Sequence, residues 1–240
     1  MHGFTGAATS WDAVFAELPS DTVAIRPPIT GHHRELPQAS SSFEDEVDRL
    51  AGALSQEAQP LHLVGYSMGA RLALGLLVDH RRLFESVTLI GVHPGLPTAA
   101  ERRERRAADE KLARRLEEQG VERFVDQWQS LPLFQTQAAL PLTVLERQRR
   151  QRLEHSAVGL AHALRVLSLG GMPNFRPDLP QLDLPVRLMV GERDGKFRRL
   201  AEEMSEALPK ATIDVVPDAG HNLLLEAPQA VAERMLKNLS

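Results

Sequence analysis

The stretch LHLVGYSMG at positions 61–69 decides the fold of this protein. Its first four residues form a short apolar strand pattern, and a helical pattern begins near Met68. Between them lies G-x-S-x-G, which in a strand–turn–helix setting is typical of a nucleophile elbow. The turn is so tight that the residues two positions either side of the serine must be small, as Gly65 and Gly69 are. We therefore predict that Ser67 projects at the helix N-terminus, where the helix dipole favours developing negative charge.

Four more short apolar runs surround this stretch, at 22–25, 87–90, 186–190 and 212–216. They are mostly apolar on both faces rather than alternating, which is typical of buried parallel strands. Helical patterns lie between them, around Trp11, after Ser41 and from Leu72 onward. The β-α-β-α order predicts an α/β fold with a doubly wound, mostly parallel sheet. In such a sheet, ligands bind at the carboxyl ends of the strands.

The alternation of strands and helices breaks between residues 95 and 176, where the sequence is helical and charged. From Glu101 to Glu118, thirteen of eighteen residues are charged, seven basic and six acidic. Because the two signs nearly balance, most of these side chains are expected on a solvated helix face. No linker marks a second domain. The sequence therefore predicts one domain over residues 1–240, with a helical lid insertion at 95–176.

The composition excludes several classes of protein. The 240 residues include no Cys, so disulfide scaffolds, thiol nucleophiles and zinc–thiolate sites are impossible. We expect no metal, since His32 and His33 are adjacent and face different directions, which makes them poor joint metal ligands. No apolar run approaches the roughly 20 residues that span a bilayer. The net charge of -4 disfavours nucleic acid as a partner. The start of the chain lacks a signal-peptide pattern, so we expect a cytoplasmic protein. We expect its partner to be a small molecule.

A nucleophilic serine needs a base, and the base needs an acid that orients it. His221 follows the last apolar run within Ala-Gly-His-Asn and precedes a final helix. The chain order of serine, acid and histidine places the acid between them, and Asp194 follows the 186–190 run directly. Asp218 is the alternative acid, but it shares a loop with His221 and is better explained as a turn former. We predict a catalytic triad of Ser67, Asp194 and His221.

These residues resemble the α/β-hydrolase superfamily, because the elbow, the late Asp and His, and the opening His-Gly-Phe-Thr-Gly are spread over nearly the whole chain. The resemblance implies an oxyanion hole formed by the backbone N–H groups of Phe4 and Met68. In this superfamily a strand precedes the His-Gly-Phe segment. Here only Met1 stands before it, so we expect N-terminal strands of the fold to be missing or the sheet to begin late.

A narrower resemblance is to the 2-succinyl-6-hydroxy-2,4-cyclohexadiene-1-carboxylate synthase family of menaquinone biosynthesis. It rests on His-Gly-Phe-Thr-Gly at 2–6, Val-Gly-Tyr-Ser-Met-Gly-Ala-Arg at 64–71, Glu-Arg at 101–102 with Arg105 and Asp109, Trp128 before Pro-Leu-Phe at 132–134, Gly-Glu-Arg-Asp-Gly-Lys-Phe at 191–197, and Gly-His-Asn at 220–222. The resemblance implies a lyase that eliminates pyruvate from a substrate with several carboxylates. In such an enzyme the triad serves as a base, and neither an acyl-enzyme nor a cofactor is required.

A polycarboxylate substrate requires cationic side chains in the site. Arg71 lies one helical turn after Ser67 in an otherwise apolar helix, so it pairs with either a buried acid or an anionic ligand, and we favour the ligand. The resemblance implies further substrate contacts from Arg152 in the lid, with Trp128 and Tyr66 as its neighbours. Trp128 fits a packing role equally well. Weaker candidates are Arg105 and Lys111.

Two other functions fit the same residues. A carboxylesterase acting on small acyl esters would use this triad for covalent acyl transfer. Such an enzyme should release p-nitrophenol from p-nitrophenyl acetate in a burst and should tolerate Arg71→Ala. In the lyase the same substitution should remove most of the activity on the tricarboxylate substrate. A non-catalytic binding protein of the same fold is the third interpretation, and it predicts that Ser67→Ala changes no activity.

Overall fold

A computed structural model describes residues 1–32 and 40–239 of the chain, so His33 lies outside the described residues. Four parallel strands form one sheet in the order β1 (Leu61–Tyr66), β2 (Phe84–Ile90), β3 (Val186–Gly191) and β4 (Ala211–Val216). The described helices are α1 (Asp12–Phe15), α2 (Phe43–Leu54), α3 (Met68–Asp79), α4 (Ala99–Gln129), α5 (Leu142–Leu153), α6 (Ala157–Val166), α7 (Gly195–Ala207), α8 (Leu223–Glu226) and α9 (Pro228–Leu239). Short 3-10 turns connect several of them.

Helices cover both faces of the sheet, which confirms the predicted α/β fold. Successive residues of a strand point to opposite faces. Leu89 of β2 is buried with residues of α2, α3 and α7, whereas the next residue, Ile90, is buried with residues of α1, α8 and α9. β2 and β3 are largely buried on both sides, so their sequences are mostly apolar rather than alternating. β4 is an edge strand and is more exposed, with Ile213 and Val215 at 36% and 41%. Four of the five predicted strands are present with nearly the predicted bounds.

The prediction of a strand at 22–25 is wrong. This segment is irregular, and Val23 and Ile25 are 90% and 37% exposed. A strand is stable only when its backbone pairs with a neighbour. At its carboxyl end, the edge of β1 that such a strand would need is bonded to Met1 instead. There the Met1 amino group donates to the Val64 carbonyl at 2.6 Å, and the Tyr66 N–H donates to the Met1 carbonyl at 3.0 Å. Met1 thus lies alongside β1 and directs the following residues toward Ser67.

The segment between β2 and β3 folds into helices and, within the described residues, contains no strand. α4 begins at a capping box, in which the Glu101 N–H donates to the Thr98 hydroxyl at 3.2 Å. Gly120 interrupts the helix with a φ of 80°. α4 packs on α6 around Leu116 and Leu160. None of the described helices is long and apolar enough to cross a membrane.

Candidate active site

Ser67 occupies the sharp turn between the end of β1 and the start of α3. Its φ and ψ are 52° and -109°, a conformation that residues with a side chain rarely adopt. The chain approaches itself closely on both sides of the turn. A Cβ on Gly65 would lie 2.4 Å from the Gly69 carbonyl oxygen, and a Cβ on Gly69 would lie 2.5 Å from the Met1 carbonyl oxygen. The need for two glycines, inferred from the sequence, is therefore steric.

We expect Gly69→Ala to destabilise the protein by about 1–3 kcal/mol, because its methyl group meets rigid backbone rather than a flexible side chain. Gly52→Ala is the matched control, since a Cβ at this position of α2 meets nothing within 4 Å. There the added methyl should stabilise the helix by roughly 0.5–1 kcal/mol. Urea unfolding measures both changes. Equal unfolding free energies for the two variants would contradict the steric explanation.

Three loops at the carboxyl ends of the strands bring Ser67, His221 and Asp194 together. His221 Nε2 lies 3.0 Å from Ser67 Oγ, and His221 Nδ1 lies 2.7 Å from Asp194 Oδ2. His221 and Asp194 are only 3% and 7% exposed. Because an ionised carboxylate can only accept, Nδ1 carries the proton and Nε2 is left to accept the serine proton. This is the arrangement in which a histidine can act as a base toward serine.

The imidazole is also fixed from its sides. The Phe197 ring centroid lies 4.4 Å from that of His221, and the Tyr66 ring centroid lies 5.4 Å away. Asp194 is the N-cap of α7, where its Oδ1 accepts from the Phe197 N–H at 3.4 Å. The carboxylate is therefore held by the helix end while it orients His221.

Asp218, the alternative acid, is turned to solvent. Its φ is 57°, and its side chain, 83% exposed, forms an ion pair with Arg193 at 2.7 Å. The left-handed backbone fits the turn-forming role inferred from the sequence. Among the described residues, the carboxylate that bonds to His221 is that of Asp194.

The two amides assigned to the oxyanion hole belong to segments next to Ser67. Met68 is the first residue of α3, so its N–H has no acceptor within the helix. Phe4 lies in a tight turn closed by the Gly6 N–H, which donates to the Gly3 carbonyl at 3.0 Å. This turn is close to the nucleophile, because a Cβ on Gly3 would lie 3.3 Å from Ser67 Cβ.

A cavity of about 350 Å³ opens over Ser67 and His221. One part of its wall is aromatic, with Trp128 stacked on Phe124 at an interplanar angle of 18°. The indole N–H of Trp128 is buried with no hydrogen-bond partner among the described residues. Another part of the wall is cationic and is formed by Arg71, Arg105 and Lys196. The cavity therefore combines apolar surface with an excess of positive charge.

Each arginine of the cavity is held by a neighbour. Arg71 Nη1 donates to the Leu167 carbonyl at 2.8 Å, and Arg105 Nε lies 2.9 Å from both carboxylate oxygens of Asp109. Asp109, buried in turn, accepts from the Ser168 hydroxyl at 2.7 Å. Burial, followed by the charge of Arg105, lowers the pKa of Arg71 to about 10, so Arg71 remains charged at neutral pH. Asp109 partly neutralises Arg105, whereas no carboxylate of the described residues bonds to Arg71.

Lys196 and His93 also line this cavity, and neither was predicted from the sequence to have a role there. Burial, followed by the charge of Arg105, lowers the pKa of Lys196 below its usual value. Burial, followed by the charge of Lys196, lowers the pKa of His93 to about 3. The Gly95 N–H donates to His93 Nδ1 at 3.1 Å, so Nε2 carries the proton. His93 follows β2 by three residues, and that position at a strand's carboxyl end was the signal that could have identified it.

Arg152 and Tyr66 are both buried, but Arg152 lines a second cavity of about 390 Å³. Tyr66 and Phe134 line both cavities, so the two adjoin. Arg152 Nη1 has no hydrogen-bond partner among the described residues, and the guanidinium carbon lies 5.6 Å from the Phe134 ring centroid. Burial raises the pKa of Tyr66 well above its usual range, so its hydroxyl stays protonated.

The expectation that Lys111 contacts the substrate needs correction. Lys111 is exposed and lines neither of these two cavities. The inward face of α4 carries Asp109, Ala113 and Leu116. A helix turns by about 100° per residue, so a side chain two positions after Asp109 points away from that face.

Comparisons with known proteins agree with this architecture. The model of the alpha/beta hydrolase family matches residues 1–234. A Bacillus subtilis (strain 168) protein, named as a candidate 2-succinyl-6-hydroxy-2,4-cyclohexadiene-1-carboxylate synthase, is 35% identical over 95% of this chain and 85% of its own. The synthase of that name from Enterobacter sp. (strain 638) is 32% identical over 97% of this chain and 87% of its own.

Among solved structures, MenH from S. aureus superposes with a TM-score of 0.94 at 29% identity. The match covers 100% of this chain and 91% of that one. The chain therefore belongs to the alpha/beta hydrolase family and, within it, to the group formed with these 2-succinyl-6-hydroxy-2,4-cyclohexadiene-1-carboxylate synthase relatives.

Proposed function

We propose that this protein is a carbon–oxygen lyase of menaquinone biosynthesis. It eliminates pyruvate from a tricarboxylate precursor and so forms 2-succinyl-6-hydroxy-2,4-cyclohexadiene-1-carboxylate, the product for which its relatives are named. One observation carries the proposal: the Ser67–His221 pair faces a cavity whose wall includes Arg71, Arg105 and Lys196. Concentrating cations in a partly buried site is costly unless an anionic ligand compensates them. A small neutral ester gives no reason for such a wall.

In this proposal the triad serves as a base. Ser67 Oγ removes a proton from the carbon beside a substrate carbonyl while its own proton passes to His221 Nε2. The electron pair of the broken C–H bond forms an enolate, whose oxygen accepts hydrogen bonds from the amides of Phe4 and Met68. Return of the pair forms the ring double bond and breaks the C–O bond to the leaving group. That group departs as the enolate of pyruvate. His221 Nε2 gives its proton to the enolate carbon, which completes pyruvate and returns the triad to its starting state.

The substrate carboxylates are bound by the cationic side chains. Arg71 and Arg105 lie on the Ser67 side, and Arg152 contributes from the adjoining cavity. The unpartnered Nη1 of Arg152 supports this role, because a buried guanidinium donor without an acceptor is costly. Trp128 and Tyr66 supply the apolar and aromatic walls.

We also propose that residues 1–240 form one domain with residues 95–176 as its lid. The insertion carries Arg105, Trp128 and Arg152, which line the two cavities, while Ser67 and His221 lie in the loops that follow β1 and β4. Any movement of the insertion would therefore move substrate contacts relative to the catalytic groups.

The decisive experiment incubates the protein with the tricarboxylate precursor and measures pyruvate release against formation of the cyclohexadiene. We expect the two products in equal amounts. A parallel assay uses p-nitrophenyl acetate, on which an esterase gives a burst of p-nitrophenol. Fast multiple-turnover ester hydrolysis without any pyruvate would overturn the lyase and favour the carboxylesterase.

The Arg71→Met variant tests whether Arg71 binds a carboxylate of the substrate. Loss of one charge-assisted bond to a carboxylate, about 1.5–3 kcal/mol, should lower kcat/KM for the tricarboxylate roughly 10–100-fold. Hydrolysis of p-nitrophenyl acetate should change little. Arg103→Met is the control, since Arg103 is exposed on α4 and lines neither cavity. If both variants lose pyruvate release equally, Arg71 is not a carboxylate contact.

A further inference from the structure

The turn that presents the Phe4 amide contains a strained residue. Thr5 has a φ of 61°, which lies in the left-handed region. A β-branched side chain crowds the backbone there, so the conformation is unfavourable on its own. Thr5 is buried, and its hydroxyl has no hydrogen-bond partner among the described residues. Its side-chain oxygen therefore does not stabilise the turn, and something else must hold it.

Two histidines bond to the backbone of Thr5, one at its N–H and one at its carbonyl. The Thr5 N–H donates to His32 Nε2 at 3.2 Å, and the Thr5 carbonyl lies 3.2 Å from His155 Nε2. These rings come from distant parts of the chain, His32 after Ile29 and His155 between α5 and α6. Their centroids are 5.5 Å apart. Together they bond to both backbone polar groups of the strained residue.

The hydrogen bonds fix the protonation state of His32. Its Nδ1 lies 3.1 Å from the Thr30 carbonyl, which can only accept, so Nδ1 carries the proton. Nε2 is then the acceptor that the Thr5 N–H requires. His32 is 6% exposed, and the titratable groups that act on it are His2 and His155. His2 is in turn next to the Met1 amino group, whose pKa burial lowers to about 5, and His155 is influenced by Glu154 and Arg152. Burial holds the pKa of His32 well below the usual range, so the ring remains a neutral acceptor.

We propose that His32 is a positioning residue for the oxyanion hole: by accepting from the Thr5 N–H, it holds the strained turn in which the Phe4 amide faces the Ser67 site. His155 supports the same turn through the Thr5 carbonyl. The inference rests on the proposed use of the Phe4 amide as an oxyanion donor. It assigns to His32 no contact with the substrate or the reacting atoms.

The test compares variants with and without an acceptor at the position of His32 Nε2. His32→Leu has none, and His32→Asn is too short to reach Thr5, whereas His32→Gln can place its carbonyl oxygen there. His80→Gln is the control, because His80 lies at the surface and pairs with Asp48 at 2.8 Å. The readout is the rate at which a p-nitrophenyl alkylphosphonate modifies Ser67, since its P=O group must enter the oxyanion hole.

Losing a whole oxyanion donor costs about 10²–10³-fold in rate, so misplacing one should slow phosphonylation roughly 10–100-fold in His32→Leu and His32→Asn. The phosphonylation rate of His32→Gln should stay within about fivefold of that of the parent, since glutamine keeps an acceptor for the Thr5 N–H and so keeps the oxyanion donor in place. The kcat for pyruvate release should fall in parallel with little change in KM. Normal phosphonylation by folded His32→Leu or His32→Asn, or equal losses in Gln, Asn and Leu, would overturn the proposal.

A second variant tests the strain directly. Glycine adopts a positive φ without penalty, so a chain carrying Thr5→Gly should depend less on His32. We expect the loss of phosphonylation rate caused by His32→Leu to be several-fold smaller in the Thr5→Gly background than in the parent. A purely structural role of His32 would instead give the same loss in the two backgrounds.

If the parent protein releases no pyruvate but phosphonylation still depends on His32, only the proposed substrate fails. If pyruvate is released and phosphonylation ignores His32, only the positioning role fails.

Discussion

Replacing Ser67 by alanine should lower kcat/KM for pyruvate release by about 10⁴-fold or more. The Ser67 oxygen lies 3.0 Å from His221 Nε2, and in the proposed mechanism it is the group that takes the substrate proton. Alanine removes that oxygen and leaves a gap between the imidazole and the substrate carbon. The measurement is steady-state pyruvate release with melting temperature as the check on folding, since alanine must adopt the same positive φ as serine.

Ser205→Ala is the matched control, because Ser205 is a helix serine on α7 whose hydroxyl bonds to the Glu202 carbonyl at 2.8 Å. It should keep full activity. A folded Ser67→Ala protein with undiminished pyruvate release would show that Ser67 takes no part in the reaction. If the parent protein releases no pyruvate and Ser67→Ala leaves every measured activity unchanged, the non-catalytic binding protein becomes the better interpretation.

The Ser67 variant alone does not separate lyase from esterase, because both need the hydroxyl. Trapping does. An esterase passes through an acyl-enzyme, so acid quenching during turnover should leave a mass increase on the peptide carrying Ser67. The lyase forms no bond to Ser67, and we expect the unmodified peptide throughout turnover of the tricarboxylate.

Asp194→Asn should lower kcat about 10³–10⁴-fold with a much smaller change in KM. The amide can still cap α7 through its oxygen, so the loop should keep its shape. Its NH₂ group, however, would face His221 Nδ1, which must then become the acceptor. The proton moves to Nε2, and the imidazole can no longer accept from Ser67. Circular dichroism and melting temperature should show an intact fold while pyruvate release is nearly lost.

Asp218→Asn is the control for this substitution. Asp218 lies on the loop of His221, but its carboxylate is exposed and pairs with Arg193 at 2.7 Å. An exposed ion pair contributes about 1 kcal/mol at most, so activity and stability should both remain close to those of the parent. Loss of activity in Asp218→Asn with retention in Asp194→Asn would reverse the assignment of the acid.

Much of the fold could be predicted from local pattern. The strand before Ser67, the turn around it and the apolar helix after it are specified by residues adjacent in sequence. The strand prediction at 22–25 failed because an apolar run becomes a strand only if a neighbour pairs with it. Lys111 was misplaced for a similar reason. Its basic character was evident, but the face of α4 that packs inward depends on α6, whose contact with α4 the sequence does not show.

The sequence by itself determined the α/β class, the elbow at Ser67 and the chain order of Ser67, Asp194 and His221, because each follows from periodicity, glycine sterics or strand ends. Only the tertiary structure decided which groups meet. His221 and Ser67 are 154 positions apart, and His155 and Thr5 are 150 apart, yet each pair is in hydrogen-bond contact. Such contacts depend on how sheet, turn and insertion pack in space, and a linear pattern carries no information about that distance.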